Sequence, residues 1–79
     1  MNTEELKERT IKLAIEMVHL VEALPKSQAC YTVARQMLRS GTSVGANYRS
    51  ACCAKSRADF IAKMAIVQEE CDETLYWME

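Results

Sequence analysis

The sequence predicts an all-α protein, an antiparallel up-and-down helical bundle, and three observations carry that prediction. Apolar residues recur at heptad spacing in three successive segments. A helix-start signal precedes each segment, and the whole chain holds only two glycines and one proline to interrupt them.

The first helix is expected over about residues 3–24. Leu6, Thr10, Leu13, Met17, Leu20 and Leu24 step by four and three alternately, the spacing of a helix packed in a bundle. A second row, Ile11, Ala14, Val18 and Val21, widens the apolar face, so this helix is expected to touch more than one neighbour. Asn2 with Glu5 three residues on is a capping box, and Pro25 ends the helix by withholding a backbone N–H.

Ser27 or Gln28 opens the second helix, expected over about residues 28–53. Cys30, Ala34, Met37, Gly41, Val44, Tyr48 and Ala51 keep the four-and-three step. Gly41 and Gly45 stand one turn apart among Ser40, Thr42, Ser43 and Ala46, a place where the backbone either approaches another helix closely or bends. The expectation is a kinked or interrupted helix, with a fresh start capped by Thr42 or Ser43 as the alternative. Ser56 followed by Asp59 caps the third helix, expected over about residues 57–79. Phe60, Met64, Val67, Cys71, Leu75 with Thr74, and Met78 repeat the spacing. No stop signal follows, and Tyr76, Trp77 and Met78 make an apolar ending that reads as cut short. Helices of about 34 Å form an elongated layer whose open face needs a fourth helix or further copies of the chain.

Seventy-nine residues allow one domain, residues 1–79, and exclude a multidomain enzyme. The chain is 49% hydrophobic and 27% charged, too apolar for disorder and without the run of about 20 uncharged residues a membrane helix needs. The start Met1-Asn2-Thr3-Glu4-Glu5 is not a basic signal peptide, so a cytoplasmic protein with no membrane partner is expected. The four cysteines, Cys30, Cys52, Cys53 and Cys71, read as reduced thiols in a chain with aliphatic residues enough to build a core.

The net charge of −1 hides a segregated distribution. Residues 1–24 carry five acids and three bases, residues 25–57 six bases and no acid, and residues 58–79 six acids and one base. A basic centre between acidic ends implies pairing between segments or a face kept for a polyanion. A hairpin of helices two and three turning near residues 53–56 sets Arg39 beside Glu70 and Arg35 beside Glu73 or Thr74, so ion pairs are the simplest fate of those two arginines. Arg49, Lys55 and Arg57 lie near the turn with only Asp59 at their level, which makes them the better candidates for phosphate contacts. Tyr31, Tyr48 and Phe60 fall on or near the apolar rows, so no aromatic platform for stacking bases is expected. With a pI near 5.8, binding to nucleic acid would be weak, salt-sensitive and indifferent to sequence.

Catalytic and metal chemistry find little support. Glu16 and His19 have the Glu-x-x-His spacing of di-iron bundles, but His19 is the sole histidine and a full site needs two such pairs. A solvated helix surface explains the pair better. Cys52 and Cys53 are adjacent, neither a Cys-x-x-Cys nor a zinc knuckle, and Cys30 and Cys71 follow the apolar heptad. No cofactor is expected.

Three blocks, Arg39-Ser-Gly-Thr-Ser-Val-Gly-Ala-Asn47, Lys55-Ser-Arg-Ala-Asp-Phe-Ile-Ala-Lys-Met64 and Glu70-Cys-Asp-Glu-Thr-Leu-Tyr-Trp77, occur in one order and frame. In these the chain resembles the four-helix bundle proteins of the 23S ribosomal RNA intervening-sequence family. The resemblance implies a small bacterial bundle of unknown function with no catalytic activity, commonly a ring-like homopentamer. It also relates the chain to the accessory protein of diversity-generating retroelements, which contacts nucleic acid and a reverse transcriptase. The chain departs from the pattern in stopping at Glu79, before the family's fourth helix, and in carrying Ser50 where a glutamate is usual. The function expected is thus a non-enzymatic homo-oligomeric bundle that associates with RNA or DNA through Arg49, Lys55 and Arg57, with Arg35 and Arg39 as further contacts. Gly41, Gly45, Asn47, Phe60, Met64, Tyr76 and Trp77 are the expected packing and assembly residues. The competing expectation is a protein-interaction scaffold with no nucleic-acid role.

Overall fold

The computed structural model describes residues 2–78, which form three α-helices and no strand. These are α1 (Thr3–Ala23), α2 (Gln28–Cys52) and α3 (Arg57–Met78). Each start is set by a short polar side chain taking up an orphan N–H. Asn2 accepts from the Glu5 N–H at 2.8 Å, Ser27 from the Cys30 N–H at 3.2 Å, and Ser56 from the Asp59 N–H at 3.1 Å. Asp59 returns the favour across the α2–α3 turn, its carboxylate accepting from the Lys55 N–H at 3.0 Å. The first helix ends before Pro25, with the Leu24 N–H turned back onto the Val21 carbonyl.

Both α1 and α3 pack on α2, and their backbones do not meet each other. The chain is accordingly a layer of 45 × 20 × 16 Å. Along α1 and α2 the contacts run in opposite senses, Thr10 against Gly45 and Met17 against Gly41. Along α2 and α3, Ser40 meets Thr74. A central cluster of Val44, Tyr48 and Val67 joins the helices, with Leu6 and Leu13 closing on it from one side and Met64 and Cys71 from the other.

Two expectations are corrected here. The second helix is unbroken through both glycines, and neither has positive φ. The glycines serve close approach instead: a Cβ on Gly41 would fall 2.5 Å from Met17 Cγ, and one on Gly45 3.1 Å from Thr10 Cβ. On the broad apolar face of α1, Ile11, Ile15 and Val18 remain 40–49% exposed. Tyr31, expected near the apolar rows, is 55% exposed.

Candidate nucleic-acid interface

The α2–α3 turn gathers the cations that the sequence singled out. Arg49 lies in the last turn of α2, Lys55 in the four-residue connection, and Arg57 begins α3. All three are exposed, and among the described residues no carboxylate stands within ion-pair distance of their side chains. The one acid at their level, Asp59, is held by the Lys55 N–H and by Lys63 Nζ at 3.2 Å. Those contacts, the backbone N–H foremost, depress its carboxyl below the ordinary value. Asp59 therefore stays ionised, yet its charge is answered by the backbone of the turn and by Lys63 of its own helix, which leaves the side chains of the three neighbouring cations facing water.

Arg39 has a different fate. Its guanidinium pairs with Glu70 at 3.4 Å and with Glu73, and it touches Gln36 Oε1 at 3.4 Å. The indole N–H of Trp77 donates to the same Glu73 carboxylate at 3.2 Å. Glu73 is held below its ordinary range by the Arg39 hydrogen bond first and the Trp77 bond second, and Arg39 is held more firmly protonated in return. Its charge is spent within the hairpin. Arg35, expected opposite Glu73 or Thr74, pairs with neither and is exposed. Ser40 takes the place opposite Thr74, more than one turn further along α2.

The expected packing residues fall into two groups. Gly41 and Gly45 lie within the layer against α1, while half-buried Asn47 turns its amide onto the Ser43 carbonyl of its own helix at 2.8 Å. Phe60 and Tyr76, by contrast, are 40% and 67% exposed. Met64 and Trp77 are half-buried, and Trp77 meets Tyr76 edge to face at 5.0 Å. Met64, with Leu6, Leu13, Tyr48 and Cys71, lines an open groove of about 650 Å³ between α1 and α3. A smaller apolar hollow of about 320 Å³ lies at the other end, among Leu20, Leu24, Cys30, Met37 and Trp77.

Glu16 and His19 are both exposed on α1, and among the described residues no group of three or more His, Cys, Asp or Glu side chains could hold a metal ion. No described helix is long and apolar enough to cross a membrane. All four cysteines are free thiols, Cys52 and Cys53 exposed, Cys30 and Cys71 half-buried. Burial, then the nearby Asp72 and Glu70, pushes the Cys71 thiol up.

The buried Ser40–Thr74 pair is the feature that sequence reasoning missed. Heptad counting offered Thr74 only as an apolar-row substitute and gave Ser40 no role. The available signal was a Ser and a Thr each sitting on the inward row of its own helix.

Comparison with known proteins places these features. No curated protein matches the chain. A crystal structure of a protein with unknown function from the S23 ribosomal protein family of Bacteroides thetaiotaomicron is 43% identical, superimposes with a TM-score of 0.87, and is matched over 98% of this chain and 69% of its own. The family model described as 23S rRNA-intervening sequence protein matches residues 3–79, essentially every residue discussed above, and the chain belongs to that family.

Proposed function

We propose that this chain is a non-enzymatic, cytoplasmic bundle protein, its helices antiparallel to their neighbours, that self-associates and holds RNA or DNA loosely through the α2–α3 turn. The observation that carries the reading is the contrast between Arg39, paired with two carboxylates, and Arg49, Lys55 and Arg57, which have none within ion-pair distance among the described residues. Unpaired cations grouped at one end of a chain with a net charge of −1 supply local phosphate affinity without a basic surface overall. Self-association multiplies that patch, so several weak contacts act together. Membership in a family named for an interval of 23S rRNA agrees with a polyanion as the ligand.

The exposed cluster offers no stacking surface and no inserted helix, so binding is electrostatic and sequence-tolerant. Fluorescence anisotropy with a mixed-sequence single-stranded RNA and a DNA duplex tests this. Affinity should fall steeply with salt, by a slope of about −2 to −3 per chain for three phosphate contacts. The triple variant Arg49→Glu, Lys55→Glu, Arg57→Glu should lose it while its oligomeric state, by light scattering, stays unchanged. Salt-independent binding, or a triple variant that binds normally, would refute the reading.

A scaffold with no nucleic-acid role is the second reading, favoured by large apolar side chains left exposed on α1 and α3. It predicts a discrete oligomer that ignores both nucleic acids at low salt.

A further inference from the structure

Tyr31 lies outside the cluster at the α2–α3 turn, yet it is the one aromatic side chain that α2 gives to water. It is 55% exposed, while Tyr48, the other aromatic of that helix, belongs to the buried central cluster. At 3.6 residues per turn, Tyr31, Arg35, Thr42 and Arg49 fall within about 40° of one another around α2, and all four are exposed. Met37, Ser40, Val44 and Ala51, buried inside the layer, stand on the opposite side of the helix. The open groove between α1 and α3 takes only Val44 and Tyr48 from α2, so whatever fills that groove leaves this outer face clear.

The face is basic along its length. Residues 25–57 contain six bases and no acid, and among the described residues neither Arg35 nor Arg49 has a carboxylate within ion-pair distance. Arg39, at the edge of the face, turns away to Glu70 and Glu73 and so answers the nearest acids of the α3 flank. Otherwise the exposed side chains between Arg35 and Arg49 are short, Thr42 and Ala46, and the Thr42 hydroxyl donates inward to the Leu38 carbonyl at 2.7 Å. A run of phosphates can therefore lie close on the helix between two guanidiniums about 21 Å apart along its axis.

We propose that this face of α2 is a track for single-stranded nucleic acid, which leaves the α2–α3 turn, sets phosphates on Arg49 and Arg35, and stacks an unpaired base on Tyr31. This rests on the polyanion reading above and assigns it a path and a strand preference. Tyr31 and Arg35 are four residues apart, neighbours on the helix surface, so a base on the ring keeps its own phosphate within reach of the guanidinium. The bases of a duplex already stack on one another, and only a single strand can offer a free face to the tyrosine. Every base has such a face, so the ring selects the strand state and leaves binding indifferent to sequence.

The test measures fluorescence anisotropy of one mixed-sequence DNA, single-stranded and as its duplex, with the full chain. The single strand should bind about fivefold or more tightly than the duplex. Tyr31→Ala should weaken the single strand by about that factor and leave the duplex unchanged, whereas Tyr31→Phe should keep the preference. Arg35→Gln should reduce the salt slope on the single strand by about 0.7, one phosphate contact. Both positions are exposed, and circular dichroism confirms that the variants stay helical. A single strand carrying 5-iodouracil should photo-cross-link at Tyr31 rather than at Tyr76, the other exposed tyrosine, as mapped by mass spectrometry. Equal binding of the two polymers, or a Tyr31→Ala chain that keeps its preference, would overturn the track. The turn cluster would still stand if the Arg49→Glu, Lys55→Glu, Arg57→Glu variant lost both polymers. Binding of neither polymer by the parent chain would overturn the track and the polyanion reading together.

Discussion

Ser40 on α2 and Thr74 on α3 meet through their hydroxyls at 3.0 Å in the interior of the layer, Ser40 with no exposed surface and Thr74 with 4%. Each also reaches a carbonyl of its own helix, Ser40 that of Gln36 at 2.9 Å and Thr74 that of Glu70 at 2.8 Å. One proton per hydroxyl suffices. Whichever hydroxyl donates across the interface, the other donates to its own carbonyl, and no described buried polar side-chain atom is left without a partner. The pair fixes the height of α3 on α2, because a slip would part the two hydroxyls inside a buried interface.

Ser40→Ala should cost about 1 kcal/mol, the net worth of one buried neutral hydrogen bond. Thr74→Val, nearly isosteric, should cost a similar amount. Together they should cost clearly less than the two effects added, since the double variant leaves no lone hydroxyl at the interface. Urea unfolding of the four proteins measures this. Strict additivity would show that the hydroxyls do not act as a pair.

The glycines of α2 make a sharper case. Alanine in a helix interior normally gains about 1 kcal/mol over glycine. At Gly41 the added methyl would meet Met17 Cγ at 2.5 Å, and Met17 is itself only 3% exposed, with little room to swing. Overpacking of that kind costs about 1–3 kcal/mol, so Gly41→Ala should be destabilising overall. Gly45→Ala meets Thr10 at 3.1 Å, a contact relieved by a few tenths of an ångström, and should fall within about 1 kcal/mol of the parent. The order of the two midpoints checks it: Gly45→Ala must be the more stable.

Most of the fold was legible because caps and heptads are local. Asn2, Ser27 and Ser56 act as the caps their residue types suggest, and Arg39 meets Glu70 as the hairpin register implied. What escaped were tertiary outcomes. Gly41 and Gly45 read equally well as a break or a close approach, and only the position of α1 decides between them. Arg35 missed its expected partner because Ser40, more than one turn further along α2, is what meets Thr74, and composition cannot show which side chains face each other across two helices. At the turn, the sequence put Arg49, Lys55 and Arg57 together, but that Asp59 is engaged by Lys55 and Lys63 needed side-chain geometry.

Glu73 predicts an acid-sensitive hairpin. Its carboxyl titrates below its ordinary value of 4.5 in the folded chain, chiefly through Arg39. A group depressed on folding stabilises the protein above its unfolded pKa, and that contribution fades as pH falls through the folded value. Glu73→Gln should therefore lower the thermal midpoint at neutral pH, and the gap between variant and parent should close on acidification to the region below the usual carboxylate range. Because the pair is solvent-exposed, salt should shrink the effect as well. Trp77 fluorescence follows the same event, since protonation of Glu73 weakens the acceptor of its indole N–H. A gap that persists unchanged into acid would mean that Glu73 acts through packing alone.

The thiols should separate into two classes by reactivity. Cys52 and Cys53 are exposed at the end of α2, whereas Cys71 lies beside the Val44, Tyr48 and Val67 cluster, its thiol pushed up by burial and by the neighbouring acids. Only the thiolate attacks an alkylating reagent, so a raised pKa and poor access act in the same direction. At mildly alkaline pH two thiols should react rapidly and Cys71 at least tenfold more slowly, with peptide mapping by mass spectrometry assigning each. In denaturant all four should converge on one rate. If Cys71 reacted as fast as Cys52 in the folded chain, the packing of α3 on the central cluster would be looser than the Ser40–Thr74 contact requires.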